Sequence, residues 1–91
     1  MKVRFNSQKR DWTLEQRGLD MARADEIFSA FHLSREDDRE DYGEIRVVTL
    51  GRMRRSVVVC VWTERAGTRR IISLRKAETD EREIYLANCP A

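Results

Sequence analysis

The chain has 91 residues, 41% hydrophobic and 37% charged, with one proline and four glycines. That is room for one folded domain over 1–91, and it excludes a two-domain, disordered or low-complexity chain. The longest apolar run, Val57-Val58-Val59-Cys60-Val61-Trp62, falls far short of the ~20 residues of a membrane helix. The formal net charge of +2 is the third bulk property, and it conceals a strong polarisation along the chain.

Met1-Lys2-Val3-Arg4-Phe5 alternates basic and apolar residues where a signal peptide needs a continuous apolar stretch, so a cytoplasmic protein is expected. Val3-Arg4-Phe5 predicts a short strand. Asn6 or Ser7 then caps a first helix over Gln8–Arg17, with Trp12 on its inner face and Gly18 as its left-handed stop. Asp20 caps a second helix, in which Ala24, Ile27, Phe28 and Phe31 fall on one buried stripe. The acidic stretch from Ser34 to Gly43 carries Tyr42 as its one apolar residue and predicts a surface loop.

Three strand-like runs follow. Ile45–Leu50 ends at Gly51, and Ser56–Thr63 is β-branched on both parities, as a central strand covered on both faces must be. Ala66-Gly67 turns into the third run, Thr68–Lys76. A terminal helix begins near Thr79 as N-cap, with Asp80 and Glu81 in its first turn and Pro90 beyond its end. The predicted class is α+β, a small antiparallel sheet packed by a helical hairpin and a C-terminal helix, in the order β-α-α-β-β-β-α.

Summed by segment, residues 1–19 carry +3, 36–51 carry −4 and the last fifteen −3, whereas 52–76 carry +7. The +7 block holds Arg52, Arg54, Arg55, Arg65, Arg69, Arg70, Arg75 and Lys76 against Glu64 alone. Forked guanidinium donors match phosphate oxygens, so this block is a phosphate-binding footprint; the plainer alternative is a solvated charged surface. Alternation puts Arg69, Ile71, Ser73 and Arg75 on one face of the third strand and Arg70, Ile72, Leu74 and Lys76 on the other. The second set, with the larger apolar centre, is expected to meet the helices; a one-residue bulge would exchange the two. Cys60, Cys89 and the single His32 form neither a disulfide framework nor a zinc spacing, so no metal or cofactor is expected.

Phe5, Lys9-Arg10-Asp11-Trp12-Thr13-Leu14, Arg17-Gly18-Leu19-Asp20, Phe28, Asp41-Tyr42-Gly43-Glu44-Ile45-Arg46, Trp62-Thr63-Glu64-Arg65, Arg70 through Ala77, Glu81-Arg82 and Tyr85, taken in order, resemble the BrnT family. The resemblance spans nearly the whole chain. It implies a RelE-like α+β fold and a toxin of a type II toxin–antitoxin module that cleaves cellular RNA. It further implies neutralisation by a BrnA-type antitoxin, whose ribbon-helix-helix segment carries the pair to operator DNA. Many members have histidine where this chain has Arg17 before Gly18.

Metal-free RNA cleavage needs a base for the 2′-hydroxyl, donors for the charge growing on phosphate, and an acid for the leaving 5′-oxygen. Arginine suits the second task and, with a pKa above ~12, not the others. The expected catalytic set is Glu44, Arg46, Arg65, Arg75 and Lys76, with Glu44 or Lys76 moving protons, and Arg69, Arg70 and Ser73 binding RNA. The competing readings are local. Glu44 and Arg46 could form a mere ion pair, Lys76 could pair with Asp80, and Tyr85 could be core rather than a base-stacking platform. A second function class also fits: a non-catalytic RNA- or partner-binding module acting as co-repressor with its antitoxin.

Overall fold

The computed structural model describes residues 1–39, 41 and 43–90. In chain order these form β1 (Lys2–Phe5), α1 (Ser7–Arg17), a 3-10 turn (Met21–Arg23), α2 (Asp25–Phe28), β2 (Leu33–Glu36), β3 (Val47–Met53), β4 (Ser56–Arg65), β5 (Thr68–Lys76) and α3 (Thr79–Asn88). The fold is α+β, as expected. Its one sheet has the order β1-β5-β4-β3-β2, with β1 parallel to β5 and every other neighbour antiparallel. β4 is central, and Val57, Val58, Val59 and Cys60 are all buried, because both faces of this strand are covered there.

One face packs on α1, the 3-10 turn and α2. Leu19, Met21, Ala24 and Ile27 from the helical side meet Met53, Val58, Cys60, Ile71 and Leu74 from the sheet, with Val3, Phe5, Phe28 and Trp62 at the margin. The approach of α2 is set by Gly51: a Cβ there would overlap Ile27 Cγ2 and lie 3.3 Å from Ile27 Cβ. α1 closes a gap left by β1, whose pairing stops at Ile71. Beyond that point Lys9 Nζ donates to the Ile72 carbonyl (3.0 Å) and Arg17 Nη1 to the Leu74 carbonyl (2.8 Å), so two helix cations satisfy the edge of β5.

α3 covers part of the other face. Tyr85 is 2% exposed and its hydroxyl donates to the Phe31 carbonyl at 3.0 Å. The N-terminus of α3 is fixed by a reciprocal capping box in which Glu78 is the N-cap and Glu81 accepts from the Glu78 N–H. Glu81 also receives two bonds from Arg75, at 2.8 and 2.9 Å.

Several expectations are corrected. Thr79 is the first residue of α3 and not its cap, since Glu78 reaches the N3 amide. Trp12 faces solvent, 52% exposed beneath the Arg17 guanidinium, and the smaller Thr13 takes the inward position. The second helix breaks into a 3-10 turn and a single α turn ending at Phe28. The acidic stretch is not wholly loop: Leu33–Glu36 pairs with Val47–Leu50 as an edge strand, its charged side chains tolerated because that edge faces water. Tyr42 lies outside the described residues.

Two stability predictions follow from this packing. Gly51→Ala is expected to destabilise the fold by about 1–3 kcal/mol through overpacking, and the cost should shrink when Ile27 is also truncated to alanine. Equal denaturation midpoints for Gly51→Ala and wild type would contradict the close approach. The second concerns Glu81, whose pKa the Arg75 guanidinium lowers from 4.5 to about 2. A depressed carboxylate contributes stability above its unfolded pKa and loses it as pH falls through the folded one. Glu81→Gln should therefore be clearly less stable than wild type at neutral pH, with the gap in melting temperature closing between pH 4.5 and 2. A gap that stays constant over that range would refute the assignment.

Candidate functional site

The antiparallel register of β4 and β5 shifts between Val61 and Trp62: Trp62 pairs with Ile71 and Val61 with Ser73, leaving Ile72 as the extra residue of a bulge. Arg69 and Ile71 therefore point to the helical face, Ser73 and Arg75 to the other, and Leu74 and Lys76 back to the helices. Neither alternating set survives intact. Arg70, before the bulge, shares a face with Ser73 and Arg75 after it.

This redistribution decides which candidates can act together. Arg69 lies under the helices, its guanidinium carbon 3.8 Å from the Phe28 ring centre and 4.8 Å from that of Trp62. That is a cation–π contact at the core margin, on the face opposite Arg65 and Arg70. Lys76 pairs in register with Val58 and lines a hollow with Leu14, Gly18, Asp20 and Arg23 on the helical face. The structure therefore does not bring it to Glu44. Arg75 is on the same side of the sheet as Arg65 but towards the opposite end of β5, where it is committed to Glu81.

Glu44, Arg46 and Arg65 do come together. Gly43, with φ of 70°, turns the chain into the strand entry, its N–H bonded to Asp41 Oδ1 at 2.9 Å. The segment is then held from both sides, by the Asp37 N–H on the Arg46 carbonyl (2.8 Å) and the Thr63 hydroxyl on the Ile45 carbonyl (2.7 Å). Glu44 sits between two cations: Arg65 Nη2 at 3.0 Å and Arg46 Nε at 3.8 Å. Its side chain is 25% exposed and that of Arg65 55%, so the pair is reachable from solvent.

Around this clasp the sheet face is cationic. Arg4, Arg65, Ala66, Thr68 and Arg70 line one shallow concavity. Arg70 is the register partner of Thr63 on β4 and of Arg4 on β1. Arg4 was not legible as a site residue, because nothing in local sequence announces a parallel pairing between chain positions so far apart; the one available signal was the alternation of Val3 and Phe5 around it. Tyr85 is core, as the plainer reading had it. Arg17, in the position where histidine is frequent, is occupied by the Leu74 carbonyl and the Trp12 ring.

A buried thiol is not part of this chemistry. Cys60 is 0% exposed and its burial pushes the pKa up to about 12, so it is inert packing at neutral pH. The arrangement can do two things: bind an anion through several guanidinium groups, and place one carboxylate at their centre.

No curated protein matches the chain. The family described as the ribonuclease toxin, BrnT, of type II toxin–antitoxin systems matches residues 5–81. That span runs from the end of β1 through every sheet strand to the first turn of α3, and includes the Glu44–Arg46–Arg65 clasp. The chain belongs to the BrnT family of ribonuclease toxins of type II toxin–antitoxin systems.

Proposed function

We propose that this chain is an endoribonuclease that cleaves cellular RNA without a metal ion, using Glu44, Arg46, Arg65 and Arg70 on the partly open sheet face. The observation that supports this most is the seating of one carboxylate, Glu44, between Arg65 and Arg46, on a face where Arg70 adds a further cation. Glu44 takes the 2′-hydroxyl proton, the 2′-oxygen attacks the adjacent phosphorus, and the 5′-oxygen leaves with a proton returned through water. The products are a 2′,3′-cyclic phosphate and a 5′-hydroxyl end. Arg46 orients the carboxylate, while Arg65 and Arg70 take up the charge that grows on the phosphate oxygens. Arginine needs no proton transfer for that role. Ser73, farther along the same face, offers a hydroxyl to the RNA. Arg75 acts at a distance by anchoring α3, and Lys76 has no part.

Membership of a toxin–antitoxin family implies an antitoxin partner. We infer that it is of the BrnA type, that it covers the arginine face in a cytoplasmic hetero-oligomer, and that operator DNA is reached only through it. Among the described residues no helix is long and apolar enough to cross a membrane. The co-repressor reading draws on the same clasp, because an ion pair that merely ties the 43–46 segment to β4 would look alike in a resting structure.

Kinetics separate the two. Unpaired wild-type protein should arrest growth and cleave RNA in the presence of EDTA. Arg46→Ala and Arg65→Ala should each slow cleavage by ~10²–10³ and Glu44→Gln by ~10²–10⁴, with melting temperatures little changed. RNA that is bound and shifted but left intact, or toxicity retained in all three variants, would overturn the catalytic reading.

A further inference from the structure

Several arginines of this protein have partners within the chain. Arg10 pairs with Asp20, Arg23 with Glu26, Arg39 with Asp37, Arg65 with Glu44 and Arg75 with Glu81. Arg17 donates to a carbonyl, and Arg69 lies against the Phe28 and Trp62 rings. Arg4 and Arg70, like Arg35, Arg54, Arg55 and Arg82, have no such partner among the described residues, but these two are also placed side by side. They are direct register partners on neighbouring strands, and among the described residues neither has an ion pair or side-chain hydrogen bond. Strands lie ~4.8 Å apart, so two like charges are held side by side, which costs stability unless something outside the chain compensates it.

Register extends the pattern into two rows across the sheet. One row runs Arg4, Arg70, Thr63; the next runs Lys2, Thr68, Arg65, which leads to Glu44. Val3 and Phe5 turn to the core, so Lys2 and Arg4 both face outwards beside Arg65 and Arg70. Glu64, the single acid of the +7 block, is the register partner of Arg69 and lies on the other face. The concavity lined by Arg4, Arg65, Thr68 and Arg70 thus contains no carboxylate. Lys2 and Arg4 precede residues 5–81, over which the family match extends.

We propose that the N-terminal strand is a phosphate-binding arm of the RNA site: Lys2 and Arg4, with Arg70, seat backbone phosphates flanking the one held at Glu44–Arg46–Arg65. The RNA lies across the strands rather than along them, following the two rows from β1 towards β4. This rests on the ribonuclease reading for the position of the scissile phosphate. The ligand chemistry itself is single-stranded RNA backbone, gripped by charge and without base readout.

The test uses full-length protein and two probes: a mixed-sequence 2′-O-methyl RNA that cannot be cleaved, for binding, and the same sequence as unmodified RNA, for kinetics. Arg4→Gln and Lys2→Gln should each weaken binding about tenfold, the equivalent of one charge-assisted contact. Each should also flatten the slope of log affinity against log salt by about 0.7. In cleavage the loss should fall on KM rather than kcat. Arg55→Gln makes the same charge change in the β3–β4 hairpin, at the other end of the sheet, and should leave the slope unaltered. Unchanged affinity and slope in Arg4→Gln would sink the proposal, as would an equal loss in Arg55→Gln, which would mean diffuse attraction. A loss of antitoxin affinity without loss of RNA affinity would assign the arm to the protein partner instead. Wild type that binds the modified RNA yet fails to cleave the natural one would remove the catalytic reading and leave this arm standing.

Discussion

One extra residue in β5 governs the arrangement of the cationic strand. The bulge at Ile72 lets a single segment, Thr68–Lys76, feed apolar side chains to the helices both before and after it while its polar side chains change parity. Without the bulge, Ile71 and Leu74 could not both reach the core on the helical face. With it they do, being 2% and 0% exposed. The same step places Arg70 and Ser73 on one side of the sheet and Arg69 and Lys76 on the other. A packing requirement in the core thereby selects which cations face outwards.

The helices divide the two faces unequally. α1 and α2 cover one side, with Gly51 allowing the backbone of α2 to approach β3. On the other side α3 covers the end of the sheet where β5 finishes, anchored by Arg75 and the Glu78–Glu81 capping box. Among the described residues no helix covers the end where β4 turns into β5. Glu44, Arg46 and Arg65 gather there, held by Thr63 and Asp37 rather than by the core. The packed core thus positions the candidate site without lending it side chains. Ion pairs as exposed as Glu44–Arg65 contribute little to folding, so their geometry is more informative about charge placement than about stability.

The arginines divide into those with a partner inside the chain and those with none among the described residues. An arginine with a carboxylate or two aromatic rings against it is accounted for within the chain. Arg4 and Arg70 lie side by side with no ion pair or side-chain hydrogen bond among the described residues. Net charge hides this distinction, since +2 is the residue of several local imbalances.

Much was legible in the sequence because it depends on near neighbours. The β-branched run of β4, the turn at Ala66-Gly67, the stop at Gly18 and the negative first turn of α3 are local effects of sterics and dipoles, and each lies where the residues say. The +7 block was legible as charge, and the Glu44, Arg46 and Arg65 constellation was legible through the family resemblance. Parity put Leu74 and Lys76 on the helical face, where they lie, but tertiary structure decided the residues before the bulge: Arg69 turns to the helices and Arg70 to the other face, because a bulge depends on what two strands must bury together. Long-range pairing also decided the role of β1. Lys2-Val3-Arg4-Phe5 specifies a strand with one apolar and one cationic face; only its parallel seat beside β5 puts that cationic face next to Arg70.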